Sequence, residues 1–171
     1  MTELNTSADI DYDPERDLDP EMHSYQLDPR LAKDCILLGQ FSLCDLLLMN
    51  DANYPWFILV PRLADVTEIY HLSLENQQQL MLESSVLASN LADIFDADKM
   101  NVAALGNVVS QLHVHHVVRY QNDPAWPAPV WGHAAIKPYT QARIEALRER
   151  VNTLLIDCAE YQEAEYQELA P

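Results

Sequence analysis

The sequence predicts an α+β fold, in which an antiparallel sheet of about five strands packs against two main helices. Short apolar segments follow one another with almost no residues between them, as adjacent antiparallel strands do. Two longer stretches, at 73–95 and 140–154, carry apolar residues at helical spacing instead. Because the strands come in a run with one long helix inserted and a second helix near the end, the pattern indicates α+β.

Five segments have the apolar, β-favouring composition of strands: 36–41, 43–49, 56–60, 101–105 and 111–119. Turn-forming residues fill 50–55 ahead of the third segment, and Pro61 ends it. A loop at 123–132 holds three prolines and two tryptophans, which excludes regular structure there. The strands therefore lie on both sides of the long helix in sequence.

The two helices are predicted from their caps and their apolar stripes. Ser73 is a plausible N-cap for a helix that ends at Phe95, with an apolar face of Leu80, Leu87, Leu91 and Ile94. Thr140 is the candidate N-cap of the second helix, whose stripe is Ile144, Leu147, Val151 and Leu154.

Length and composition narrow the class of protein. A chain of 171 residues that is 49% apolar is expected to form one globular domain with a substantial core. No apolar run approaches the roughly 20 residues that span a bilayer, so no membrane contact is predicted. Three cysteines without metal-type spacing indicate a reduced, cytoplasmic protein. The formal net charge of −17 argues against nucleic acid as a partner.

The acidic charge is concentrated at the start of the chain. Residues 1–28 carry nine acidic side chains against the single Arg16 and show no lasting periodicity. We therefore expect 1–28 to be a flexible acidic tail and 29–171 to be the folded domain.

Three of the six histidines lie in one short β-favouring segment, which reads Gln-Leu-His-Val-His-His-Val-Val-Arg from 111 to 119. In a strand, alternate side chains share a face, so one face would carry Gln111, His113, His115, Val117 and Arg119. His116 would point to the other face, where a structural role is expected. A strand normally buries apolar residues at such positions, so the polar cluster favours a functional site.

Three interpretations of this cluster are open from the residues alone. The histidines are ordinary members of a strand, or the H-x-H pair offers two ligands to a metal ion, for which no spacing nominates a third ligand. In the third, a neutral imidazole is the nucleophile that attacks phosphorus, while a neighbouring imidazole and amide hold phosphate oxygens. That chemistry requires neither a metal nor a cofactor.

The segment resembles the signature of the histidine triad (HIT) superfamily of nucleotide hydrolases and transferases, G-Q-[ST]-V-x-H-x-H-x-H. Without gaps, the signature falls on Gly-Asn-Val-Val-Ser-Gln-Leu-His-Val-His, residues 106–115. Upstream, 50–62 is similar to the family's strand that ends in an apolar-Pro-basic sequence. Downstream, 123–132 is similar to a loop of one bacterial branch. The resemblance covers roughly residues 34–136.

In this register the first triad position is Gln111, the central one is His113 and the third is His115. A second register would make His113 first and His115 central, with Val117 third. The first is preferred because Gly106 and Val109 then also match the signature.

The resemblance implies a nucleotide hydrolase or transferase that cleaves a phosphoanhydride or phosphoramidate through a phosphohistidine, with a diadenosine polyphosphate or an adenylyl conjugate as substrate. It implies that His113 attacks the α-phosphorus, that His115 and Asn107 contact phosphate oxygens, and that Gln111 orients the nucleophile. Further implied substrate contacts are Asn50 near the ribose, Phe57 in the base pocket, Arg119 and Trp131. A homodimer is expected. The alternatives are a nucleotide-binding module impaired in turnover, because Gln111 replaces a histidine, and a metal-dependent hydrolase that uses the H-x-H pair.

Overall fold

The computed structural model describes residues 25–156, 158 and 161–164. Within this part of the chain lie three α-helices: α1 (Pro29–Asp34), α2 (Leu74–Phe95) and α3 (Gln141–Leu155). The strands are β1 (Cys35–Gln40), β2 (Cys44–Met49), β3 (Trp56–Pro61), β4 (Lys99–Ala103), β5 (Val114–Arg119) and β6 (Gln162–Glu163). They form one sheet in the order β4-β5-β3-β2-β1-β6, and every neighbouring pair is antiparallel. The predicted α+β fold is confirmed, with the two-residue β6 added at one edge.

The sheet has one face covered by α2 and α3. Leucines of β1 and β2, Phe57 of β3 and Val118 of β5 pack there against the buried sides of both helices. The buried stripe of α2 is the predicted one, while in α3 Leu155 is buried and Leu154 is 42% exposed, so the last position of that predicted stripe is wrong.

One hydroxyl group caps α2, and one carboxylate ties it to the sheet. Ser73 accepts a hydrogen bond from the main-chain N–H of Asn76, which confirms it as the N-cap. Farther along α2, the buried carboxylate of Glu83 accepts from the main-chain N–H groups of Leu43 and Cys44, at 2.7 and 3.0 Å. The helix is thus tied through two main-chain N–H groups to the β1–β2 connection.

The opposite face of the sheet is covered in part by the short helix α1 and by the segment that precedes it. Its apolar side chains, among them Leu47, Ile58 and Val117, pack against Leu31 of α1 and against the chain that leads into α1. Tyr25 and Leu27 of that leading segment are partly buried here. Residues 25–28 of the predicted tail therefore contact the domain, and the rest of the tail, 1–24, lies outside the described residues.

The histidine segment is only partly a strand. β5 begins at Val114, so Gln111 and His113, predicted as strand residues, precede it in an irregular stretch that starts after β4. Gly106 makes the turn in this stretch with φ of +70°, a value that glycine adopts without strain. The predicted alternation still holds: His116 faces α2 and His115 the other side.

No helix in the described part of the chain is both long and apolar enough to cross a bilayer.

Candidate active site

His113 and His115 come together at the start of β5, on the face opposite α2. Their rings lie edge to face, with centroids 4.9 Å apart, and each side chain is 7% exposed. The main-chain oxygen of Gln111 lies 2.6 Å from Nδ1 of His113. Because a carbonyl oxygen only accepts, Nδ1 of His113 carries a proton, and in the neutral ring this leaves the lone pair on Nε2. The ring of His115 therefore lies beside an imidazole whose Nε2 is available to form a bond.

His115 is held in the opposite tautomer. The indole N–H of Trp56 donates to Nδ1 of His115 at 3.0 Å, across the β3–β5 pair. A neutral imidazole that accepts at Nδ1 must carry its proton on Nε2. His113 thus offers a lone pair at Nε2, and its neighbour offers an N–H at the same ring position.

The charge state of His115 follows from its surroundings. Burial, followed by the neighbouring His113 and His116, lowers the pKa of His115 to about 3. The ring is therefore neutral at physiological pH and donates its N–H without being a proton source. This suits a group that stabilises negative charge on oxygen rather than one that transfers a proton.

Aromatic rings enclose His115. Trp56 and Trp131 lie with ring centroids 5.4 and 5.3 Å from it, and the two indoles are 5.4 Å from each other. Trp131 reaches this position because the loop at 123–132 folds back over the sheet, with Ala125 and Val130 buried beneath it. The half-buried Trp131 thereby lies against His115, and its predicted contact with substrate stays a prediction.

These features coincide with a match to known proteins. The family model of the HIT domain matches residues 30–122, which is more than half of the chain. The chain belongs to the histidine triad family.

Solved structures agree with this assignment. A histidine triad protein from Marinobacter aquaeolei VT8 is 52% identical, with a TM-score of 0.78, and the match covers 80% of this chain and 100% of that one. Histidine triad proteins from Sinorhizobium meliloti 1021 and Bradyrhizobium japonicum are each 40% identical over 77% of this chain and 97% and 98% of theirs, with TM-scores of 0.75 and 0.76. No curated protein matches the chain.

The first triad position, Gln111, contacts His113 through its main chain. Its side chain turns elsewhere: Oε1 accepts from the main-chain N–H of Asp28 at 2.9 Å, and Nε2 donates to the main-chain oxygen of Gln26 at 3.0 Å. The contact between residue 111 and His113 is thus made by the main-chain carbonyl.

Arg119 was predicted to bind substrate, but it is enclosed by protein. It is 1% exposed, and its guanidinium donates to Asp123, to Asn101 and to the main-chain oxygen of Ala128. Asp123 in turn accepts main-chain N–H groups of its own loop, and its pKa is lowered by the hydrogen bond to Arg119 against the opposing effect of burial. These contacts make Arg119 a clamp on the loop that carries Trp131, and the predicted substrate role is wrong for this geometry.

Phe57 is on the wrong face for a base pocket. It is fully buried beneath α2, opposite His116 in the register, and its ring lies 5.9 Å from that of Phe95. Strand alternation puts its neighbour Trp56 on the histidine face instead. The residue of β3 that reaches the histidine face is thus Trp56, whose indole N–H bonds His115.

The two predicted asparagines lie in connecting segments. Asn107 is exposed in the turn after Gly106, in the stretch that leads to His113. Asn50 is half-buried just after β2, where its side-chain oxygen accepts from the main-chain N–H of Tyr139 at 2.8 Å. Their predicted contacts with phosphate and ribose stay predictions.

His116 has the structural role expected of it. It is fully buried, its Nδ1 donates to the main-chain oxygen of Val114, and its Nε2 accepts from the hydroxyl of Ser84 on α2 at 2.7 Å. Burial lowers its pKa to about 4, so the ring is neutral.

Residues 25–156, 158 and 161–164 contain no group of three or more His, Cys, Asp or Glu side chains placed to hold a metal ion. The metal-dependent alternative thus gains no support from the arrangement around the H-x-H pair, where Nδ1 of His115 already accepts the Trp56 N–H.

Proposed function

We propose that this protein is a nucleotide hydrolase or transferase that cleaves a phosphoanhydride or phosphoramidate, in a diadenosine polyphosphate or an adenylyl conjugate, through a phosphohistidine at His113. The pair of tautomers carries this proposal. His113 keeps a lone pair on Nε2 because Nδ1 donates to Gln111, while His115 carries its proton on Nε2 because Nδ1 accepts from Trp56. A nucleophile and a hydrogen-bond donor therefore stand side by side.

The reaction proceeds in two displacements. In the first, the lone pair on His113 Nε2 forms a bond to the α-phosphorus, and the bond from phosphorus to the leaving oxygen or nitrogen breaks with its electron pair on the leaving group, which takes a proton from solvent when it is nitrogen. In the second, water attacks the same phosphorus, loses a proton to solvent and returns the electron pair to Nε2. With another acceptor in place of water, the same steps transfer the nucleotidyl group.

His115 stabilises the charge that develops on phosphate oxygens. An N–H donor fixed in a buried site strengthens its interaction as charge grows in the transition state, and removing one such donor from an enzyme costs about 10²–10³ in rate. Because the chain carries a net charge of −17, attraction to an anionic substrate must come from such local donors. Gly106 lines a small pocket together with His113, so main-chain N–H groups of the turn at Gly106 and Asn107 are further candidate donors to phosphate.

One observation favours the alternative of a nucleotide-binding module without turnover. The side chain at the first triad position is committed to the main chain of residues 26 and 28, so it makes no contact with a phosphate in this arrangement. Binding of a nucleotide without product would support that alternative.

Turnover of a fluorogenic adenosine phosphoramidate tests the proposal. We expect product from the wild type and none from His113→Ala, whose circular dichroism and melting temperature should stay close to wild type. His133→Ala, which alters an exposed histidine outside the pair, is the matched control and should keep full activity. Equal rates in wild type and His113→Ala would refute the assignment.

We also propose that the protein is a homodimer that pairs through β4. This strand is one edge of the sheet, with β5 as its only neighbour among the described strands. An edge strand presents main-chain groups that can pair with another copy. Val102 of β4 is 50% exposed, and Met81 and Leu82 on α2 are 66% and 58% exposed, so apolar surface is available for such a contact.

A further inference from the structure

Gln111 joins two parts of the molecule that are far apart in sequence. Its side-chain amide makes two hydrogen bonds to the main chain of residues 26–28, and its own carbonyl accepts the Nδ1–H of His113. The same residue therefore contacts the chain that leads into α1 on one side and the proposed nucleophile on the other.

The two hydrogen bonds of the Gln111 side-chain amide resemble those that a neighbouring strand would make. The oxygen and nitrogen of a carboxamide sit on one carbon and face the same way, so they match the N–H and C=O that an extended main chain presents on one side. The two nitrogens of an imidazole point away from each other across the ring. A histidine at position 111 cannot bond Asp28 N–H and Gln26 oxygen together.

The segment that Gln111 holds is itself anchored. Asp28 is the N-cap of α1, because its carboxylate accepts from the main-chain N–H of Arg30 at 2.8 Å. Before it, Leu27 packs on the sheet face, and the hydroxyl of Tyr25 donates to the buried Asp45 at 2.6 Å. Residues 25–28, here called the strap, are thus held in place by contacts with the domain. Between the strap and residues 64–67 runs a groove of about 590 Å³ that reaches Ser110 and Gln111.

We propose that Gln111 is a positioning residue that acts through His113: its amide clips residue 111 to the strap and thereby holds the carbonyl of residue 111 against His113 Nδ1. Residues 104–113 belong to no strand. Next to Gln111, the main-chain N–H of Leu112 donates to the oxygen of Val66 at 2.8 Å, and the clip adds a second constraint on the carbonyl of residue 111. The histidine triad family's usual first histidine is replaced here by the residue type that this clip requires.

The kinetic test of this inference rests on the proposed function. Its expected result is that restoring the family's histidine at position 111 slows the reaction. Gln111→His, which restores the family's residue, lowers kcat roughly tenfold, because the two hydrogen bonds to the strap are lost. Gln111→Ala should behave in the same way. A rise in kcat for Gln111→His would overturn the proposal, since it would mean that the position contacts substrate.

A carboxyl group at the same position separates positioning from a merely structural effect. In Gln111→Glu, the charged carboxylate faces the Gln26 oxygen and repels it, whereas the protonated acid donates there and restores the clip. The ratio of kcat in Gln111→Glu to that in wild type should therefore rise several-fold as the pH falls from 7 to 5. The ratio for Gln111→Ala should stay flat, as should that of the control Gln78→Glu on the exposed side of α2. A flat ratio for Gln111→Glu would contradict the clip.

The ring of His113 provides a readout that does not depend on turnover. In 15N spectra of the protein labelled at histidine, the wild type should show His113 as a single tautomer with the proton on Nδ1. Gln111→Ala should show a mixture of both tautomers, at a pH where the ring is neutral. An inactive wild type with this spectral change would reject the proposed function and keep the inference, and a single unchanged tautomer in Gln111→Ala would reject the inference.

Discussion

Replacing Trp56 by phenylalanine should slow the reaction while leaving the substrate site formed. The change removes the indole N–H that donates to Nδ1 of His115 at 3.0 Å and keeps an aromatic ring in β3. Without that donor, nothing in the described contacts of His115 requires the proton to stay on Nε2. The fraction of molecules that present an N–H to phosphate then falls.

The magnitude follows from one hydrogen bond and its effect on the tautomer. A neutral hydrogen bond of this kind contributes about 1 kcal/mol net, and each 1.4 kcal/mol of transition-state stabilisation is tenfold in rate. We therefore expect kcat to fall about five- to tenfold in Trp56→Phe, with a smaller change in KM. Because Trp56 is 6% exposed, the smaller ring also leaves a cavity, and the melting temperature should drop by a few degrees.

Trp126→Phe is the matched control, since that ring lies over the guanidinium of Arg119 at 5.6 Å and makes no described contact with His115. Both variants are assayed on the fluorogenic adenosine phosphoramidate, with kcat and KM determined separately and thermal unfolding measured alongside. Trp126→Phe should keep kcat within about twofold, as expected where no hydrogen bond to the histidine pair is lost. Equal kcat in the two variants, after correction for any unfolded fraction, would refute the tautomer argument.

Three further predictions concern the fold and the dimer. His116→Ala should lose about 2 kcal/mol of stability, because the Ser84 hydroxyl loses its partner. The variant should keep most of its turnover, and a large loss of kcat in folded protein would be inconsistent with a structural role for His116. The folded state holds His116 at a pKa of about 4 against 6.5 in the unfolded chain, so stability from this site is complete above pH 6.5 and declines below it, by about 2 kcal/mol at pH 5. Denaturant titrations at pH 8 and pH 5 should show that His116→Gln loses correspondingly less than wild type; an equal loss would contradict the assignment. Val102→Lys should convert the dimer to a monomer in light scattering, and an unchanged mass would exclude pairing through β4.

The fold was predictable from local patterns that the sheet preserves. β2 and β3 are buried on both faces and therefore read as continuous apolar segments, whereas α2 buries one stripe at helical spacing, so both kinds of element could be assigned from the sequence. The short β6 was not predictable in this way. It pairs with β1 where Gly39 leaves room for Tyr161, whose hydroxyl would lie 2.3 Å from any Cβ at that position. That fit depends on a close approach in space, which no local pattern states.

The faces on which the histidines lie could be predicted from the sequence, whereas the residues that contact them could be predicted only in part. Alternation along β5 correctly separated His115 from His116, because a buried sheet fixes the parity of each residue. The same rule applied to β3 places Trp56, and not Phe57, on the histidine face.

The roles of Arg119 and Gln111 depend on tertiary contacts. A cation at the end of the histidine strand is compatible with phosphate binding, but burial against Asp123 and Asn101 commits it to the loop. The amide of Gln111 meets residues 26–28, more than eighty positions away in sequence. Neither partner is indicated by composition or spacing.

The most direct test of the central claim is the chemical identity of the covalent intermediate. A 15N-histidine-labelled sample is mixed with the adenosine phosphoramidate under conditions that slow the second step, and the phosphorus–nitrogen coupling is measured by NMR after quenching in base. The two tautomers predict a nucleotidyl group on Nε2 of His113. A phosphorus bond at Nδ1, an adduct on His115, or turnover with no adduct at all would contradict the account.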